Sequence, residues 1–162
     1  MPSITIKGIP KALKRHRFTK TGRVYDPNTK DKNIFKAKML EFRPKTPIEG
    51  TISLSLIFTM PRPKSHYKTG KNKNVLKDNA PFYHTIKPDV DNLIKMVADC
   101  MNGVFFGDDK QIAYVTALKI YGDSPSTCIV INKIEDIYGN QSAENGTTSR
   151  DKTKTRYQKA SN

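Results

Sequence analysis

Acidic residues are scarce in this chain, 15 against 29 lysines and arginines, and cysteine is scarcer still, with only Cys100 and Cys128 among 162 residues. Both cysteines lie in apolar contexts, so they read as small reduced core residues of an intracellular protein and not as a disulfide framework. No stretch approaches the roughly 18 consecutive apolar residues that span a bilayer. The opening MPSITIKGIP alternates briefly and lacks the apolar core of a leader, so no signal peptide is expected. His16, His66 and His84 show no zinc-ligand spacing with the cysteines, and no Gly-rich Walker loop is present, which disfavours those routes to catalysis. His66 and His84 read as phosphate contacts or merely exposed groups. No serine or cysteine nucleophile motif and no internal repeat is found.

What the chain has is positive charge: +14 net, with a pI of about 9.8. Neutralising phosphates releases condensed counterions, so this excess points to nucleic acid or an anionic membrane. A membrane surface would want the lysines on one face of an amphipathic helix. Here they are spread through loops, near the start (Lys14, Arg15 and Arg17) and in the middle (Lys64, Lys68, Lys71 and Lys73). Nucleic acid is the partner this favours over a membrane, the plain alternative being a soluble basic surface. The length suits one domain with a single core.

Periodicity outlines strands and helices within residues 1–136. SITIK at 3–7 alternates as a strand, and Phe18, Val24 and Tyr25 suggest a short hairpin beside turns at Thr21-Gly22 and Asp26-Pro27-Asn28. Asn33 to Phe42 predicts a helix stopped by Pro44 and Pro47. TISLSLIFTM at 51–60 is the clearest strand, with Ile52, Leu54, Leu56, Phe58 and Met60 on one face. Residues 62–86 form a long basic stretch with no usable period, expected as a flexible arm that orders on DNA. Val90 to Asn102 predicts a helix with Val90, Leu93, Ile94, Val97 and Met101 facing the core and Asp91, Lys95, Asp99 and Asn102 on the other stripe. Ile112–Tyr121 and Thr127–Ile134 read as two strands of a hairpin turning at Gly122-Asp123-Ser124-Pro125. Residues 137–162 are polar and unpatterned, expected as a disordered basic tail.

Against this basic background, KPDVDNLIKMVADCMNGVFFGDDKQI at 87–112 concentrates carboxylates at both ends of one helix. Mg²⁺ takes carboxylate and water oxygens and needs only one or two protein carboxylates, with substrate phosphate completing its shell. Asp89 and Asp91 flank the helix start, where side chains two residues apart can converge. Asp108 and Asp109 precede the next strand, which could return one of them to the same place. Lys95, one turn after Asp91, could stabilise charge developing on a phosphate. Each residue has a plainer reading. Asp89 can be an N-cap, Asp91 a first-turn acid complementing the helix dipole, Asp108-Asp109 a turn, and Lys95 an i, i+4 salt bridge of about 0.3–0.5 kcal/mol.

Lys87-Pro88-Asp89-Val90-Asp91-Asn92-Leu93-Ile94-Lys95, then Gly103 and Gly107-Asp108-Asp109-Lys110-Gln111-Ile112, resembles the signature of the RusA family of Holliday junction resolvases, common in phages and prophages. The D-x-D-N-x-x-K element joined at this distance to D-D-x-Q is specific. The likeness extends over residues 3–135 and is strong between about 85 and 121. It implies a small α+β domain, a mixed sheet with helices packed against it, used as a homodimer. It implies Asp89, Asp91 and Asp109 as catalytic, metal-binding carboxylates, Lys95 as an essential lysine, and Asp108 as a neighbouring acid. It implies Mg²⁺, with Mn²⁺ as a substitute, four-way DNA junctions as substrate, and a cytoplasmic, nucleoid-associated place in a bacterium, prophage-encoded. A nuclease for forks and flaps, or a non-catalytic DNA-binding protein, are the competing readings.

Overall fold

The alternation of TISLSLIFTM becomes the central strand of a computed structural model that describes residues 3–134. The elements are β1 (Ile4–Lys7), β2 (Arg17–Phe18), β3 (Val24–Tyr25), α1 (Thr29–Leu40), β4 (Ile52–Pro61), α2 (Val90–Met101), β5 (Ile112–Gly122) and β6 (Ser126–Lys133). Four strands form one mixed sheet in the order β1-β6-β4-β5, with β4 and β5 parallel and the other pairs antiparallel. The short β2–β3 hairpin stands apart from it. The expected tail at 137–162 lies outside the described residues.

The helices cover one face of the sheet. Ile4 and Ile6, then Leu54, Leu56 and Phe58, then Ile129 and Ile131 pack against Leu93, Met96, Val97, Cys100 and Met101 of α2 and Met39 of α1. Burial of each such side chain contributes about 1.5–3 kcal/mol, so this layer carries the fold. The α2 stripe repeats at three and four residues, as a single buried helix face requires. Val90, expected in that stripe, is 39% exposed, because the first turn of α2 overhangs the sheet at the rim of a cavity. Both cysteines are free thiols, and burial pushes the Cys100 pKa up to about 11.

Three other expectations change. The strands β5 and β6 do not form a hairpin: they straddle β4, and residues 123–125 pass over its end. The crossover helix α2 delivers β5 parallel to one edge of β4, leaving the other edge for β6. Gly122 makes this passage possible, since a Cβ there would come within 2.5 Å of Thr59 Cγ2. Helix α1 begins a turn early because Asn28, 2% exposed, anchors its start: the side chain accepts from Lys14 N (2.7 Å) and donates to Lys14 O (2.8 Å). The arm at 62–86 is folded locally. It has 3₁₀ turns at Lys64–His66 and Gly70–Asn72, bonds from Lys68 N to Val75 O and from Lys77 N to His66 O, and His66 edge-on to Tyr121.

Candidate active site

A β-strand–helix–parallel-strand unit brings the helix N-terminus out at the C-terminal ends of its strands, where ligand crevices open in such sheets. In β4–α2–β5 that position holds Asp89 and Asp91. Asp89 follows a cis Lys87–Pro88 bond and occupies the N-cap of α2 with extended backbone, yet its carboxylate makes no cap hydrogen bond. Asp91 accepts from Asn92 Nδ2 at 3.3 Å and lies 3.7 Å from Lys95, both partners 61% exposed. An ion pair so exposed is worth about 0.3–0.5 kcal/mol, so it does not hold either side chain in place. Asp99, on the same stripe, instead pairs with Lys32 of α1 at 3.0 Å.

Asp89 and Asp91 line an open cavity of about 760 Å³ together with Ala117, Lys119 and His84. Two of these escape sequence reasoning. The Lys119 ammonium donates to the carbonyls of Ile86 and Pro88, tying the approach to Asp89 onto β5. Its one signal is being the lone charge on an otherwise uncharged strand. His84 is 6% exposed, contrary to the reading of an exposed or phosphate-contacting arm residue. Its backbone N–H bonds Lys119 O at 3.0 Å, its ring tilts against Tyr121 at 4.5 Å, and Nδ1 has no partner among the described residues. Burial first, and the Lys119 charge second, lower its pKa and favour the neutral imidazole.

The second acidic motif is elsewhere. Asp108 caps a 3₁₀ turn at Asp109–Gln111, its Oδ1 accepting from Lys110 N at 3.0 Å. That backbone bond is the main reason its carboxyl titrates below the usual aspartate value. The Gln111 carbonyl accepts from Gly107 N and Asp108 N, while its amide donates to Ile48 O and Gly50 O. Gln111 therefore fastens the turn to the approach of β4, which explains its place beside the two acids. Helix α2, about 18 Å long, separates this turn from Asp89. Among the described residues no group of three or more Asp, Glu, His or Cys side chains could hold a metal. One chain thus brings Asp89 and Asp91 together and leaves Asp108 and Asp109 outside their cavity. The pair itself suits a hard cation that keeps water and phosphate oxygens in its shell.

The expected DNA-facing cations divide into two groups. Lys64, Lys68 and Lys73, with Arg62, line a second cavity of about 790 Å³ between the arm and the β5–β6 crossing. Arg62 holds the arm there by donating to Pro81 O and Tyr121 O and stacking over the Tyr121 ring at 5.5 Å. Lys71 belongs to the adjoining 3₁₀ turn and is exposed. Lys14, Arg15 and Arg17 lie near the β2–β3 hairpin, all three exposed.

A small α+β fold, with its helices on one face of a mixed sheet, thus carries an uncapped carboxylate pair at the head of its crossover helix and a cation-lined cavity at the arm. The family described as "Endodeoxyribonuclease RusA" matches residues 7–132. A Bacillus subtilis (strain 168) protein named "Uncharacterized protein YqaN" is 30% identical over 135 residues, covering 80% of this chain and 94% of the relative. The chain belongs to the RusA family, a phage Holliday-junction resolvase family, and membership supports a branched-DNA nuclease role.

Proposed function

We propose that the protein is a Mg²⁺-dependent endonuclease that resolves four-way DNA junctions by paired, symmetric nicks, acting as a homodimer. The observation that carries this reading is the Asp89–Asp91 pair, free of helix-capping bonds and lining a solvent-open cavity in a +14 chain of the RusA family. Asp89 and Asp91 would hold a divalent cation, which when bound would polarise the scissile phosphate and lower the pKa of a bound water. The residues of the chain do the rest. Lys95 presents a mobile ammonium where negative charge builds during cleavage. Lys119 and the buried His84 fix the segment that carries Asp89. The arm cations Lys64, Lys68, Lys71 and Lys73, with Lys14, Arg15 and Arg17, hold backbone phosphates and set register without reading bases. Two-fold symmetry matches two such sites to a junction that is itself nearly two-fold.

The test is cleavage of a synthetic four-way junction, a flap and a linear duplex, with and without Mg²⁺. Matched nicks on opposed strands of the junction alone are expected. Equal cutting of flaps would move the reading to a general branched-DNA nuclease. Binding without cutting under any divalent metal would end the enzymatic reading. Replacing Lys64, Lys68 and Lys73 together should lower the salt slope of junction affinity by about one for each phosphate they neutralise.

A further inference from the structure

The β2–β3 hairpin carries its apolar side chains on the outside. Phe18 is 74% exposed, Val24 59% and Tyr25 44%, and none of them belongs to the hydrophobic core. Phe18 and Val24 are direct cross-strand partners, so they share one face of the ribbon. A two-stranded hairpin is marginally stable at best when alone in water, and both strands of this one are exposed throughout. It is held from its base instead. The buried Asn28 side chain accepts from Lys14 N at 2.7 Å and donates to Lys14 O at 2.8 Å, closing the loop. Leu13 N donates to Asn92 O at 2.9 Å, in the first turn of α2 and next to Asp91. At the other foot Asp26 pairs with Lys32 at 3.3 Å, and Lys32 pairs with Asp99 of α2 at 3.0 Å. The two feet thus bracket Lys95 along α2. At the tip, Thr19 N donates to Arg23 O and Thr19 Oγ1 accepts from Arg23 N, which gives the turn a fixed shape.

Arg15, Arg17, Lys20 and Arg23 accompany these apolar groups, and no Asp or Glu precedes Asp26 in the chain. A second copy, carrying the same charges, is repelled from this surface, and a polyanion is drawn to it. Cations that follow a phosphate backbone, joined to aromatic rings that stack on bases, are the chemistry that binds unpaired nucleotides. Bases inside a duplex stack on one another and offer no free face. Bases at the centre of a branch do. We propose that the β2–β3 hairpin enters the branch point of the DNA substrate, where Phe18, backed by Val24, stacks on an unpaired base. Arg15, Arg17, Lys20 and Arg23 then hold the phosphates on either side of that base. This rests on the nuclease reading for the identity of the substrate. Phe18 is four residues from Lys14, at most about 14 Å of extended chain. Successive nucleotides of one strand are about 3.4 Å apart, so the stacked base lies within about five nucleotides of the phosphate at Asp89 and Asp91. The hairpin thereby sets the distance from branch to cut by a fixed length of protein. It also gives the site a reason to prefer branched over linear DNA, and makes Phe18 a specificity-determining residue outside the acidic cavity.

The experiment places 2-aminopurine in turn at the branch of a synthetic four-way junction, at nearby nucleotides, and in the middle of an arm. The full chain is titrated against each junction without divalent metal, so that binding is read without cutting. Wild type should raise the emission several-fold near the branch, as the base leaves its neighbours, and leave the mid-arm probe unchanged. Phe18→Ala should abolish that rise and weaken junction binding about tenfold, with linear-duplex binding kept within about twofold. Its melting temperature should match wild type, because the ring is exposed. Phe18→Trp should keep both the rise and the affinity. If wild type binds the junction and no probe brightens, the proposal is overturned, and cutting by that same protein would leave the nuclease reading standing. Equal loss of junction and duplex binding in Phe18→Ala also overturns it, making the hairpin a ribbon that lies in a duplex groove. A wild type that gives the rise but never cuts with Mg²⁺ counts against the nuclease reading alone.

Discussion

Both ends of the region around α2 are acidic, and they are built in opposite ways. At the start, Asp89 holds the N-cap position without using it, and Asp91 keeps a long bond from Asn92 Nδ2 and a long contact to Lys95. Beyond the other end, Asp108 and Gln111 form a reciprocal capping box, and Gln111 makes four hydrogen bonds to backbone groups. An N-cap side-chain bond is worth about 1 kcal/mol, so leaving Asp89 uncapped forgoes stability that its residue type could supply. Local rules are broken in this way where a side chain is kept for a ligand. The second motif instead uses its chemistry to make one turn rigid and presents Asp109, exposed, on top of it. One end is chemistry left open; the other is a mount.

The largest expected effect tests that contrast at the open end. Asp91→Asn should lower junction cutting by about a thousandfold or more, several kcal/mol of transition-state stabilisation, while leaving junction binding equal or tighter. A large loss of binding with normal folding would make Asp91 structural and erase the contrast. Lys95→Ala should follow at about a hundredfold loss of rate, measured in single turnover, with thermal stability changed by no more than about 0.5 kcal/mol. An unchanged rate would return Lys95 to the plain i, i+4 salt bridge.

At the mounted end, substitution should register first as stability. Gln111→Ala removes partners from two carbonyls and two N–H groups at once, and should cost about 1–3 kcal/mol in urea denaturation. Cutting should fall as well, since Asp109 loses its support. Loss of cutting with unchanged stability would mean that Gln111 meets the substrate and is no mount.

Legibility differs between the two ends for a physical reason. Periodicity reports which face of an element is buried, so β4, α2 and the β2–β3 hairpin are readable to within a residue or two. It does not report which strand lies between two others. The turn chemistry of Gly122 to Pro125 therefore suggests a hairpin where the chain crosses the end of β4. Pattern alone starts helix α1 a turn late because its first turn, Thr29 to Lys32, is polar and depends on the tertiary anchor at Asn28. In the candidate site, motif spacing picks out Asp89, Asp91 and Lys95 as neighbours. It misses Lys119 and His84, which reach the cavity from β5 and from the arm. The family resemblance joins Asp109 to the pair, whereas within one chain a helix of twelve residues, roughly 18 Å long, lies between them.

The smallest effect concerns Asp108 and depends on pH. Its folded carboxyl titrates below the ordinary 3.8, chiefly because the carboxylate accepts from Lys110 N, with the Lys110 charge assisting. As the folded pKa is depressed, the unfolded chain takes up the proton first as pH falls. The contribution of Asp108 is therefore complete above the ordinary value and is lost as pH drops through the folded one. Thermal melts of wild type and Asp108→Ala should differ near neutral pH and converge as the solution is made strongly acidic. An Asp89→Ala variant run alongside should melt with wild type at neutral pH, since that carboxylate has no capping bond to lose. If it lost as much stability as Asp108→Ala, Asp89 would be a working cap in solution, and the two ends of α2 would be built the same way after all.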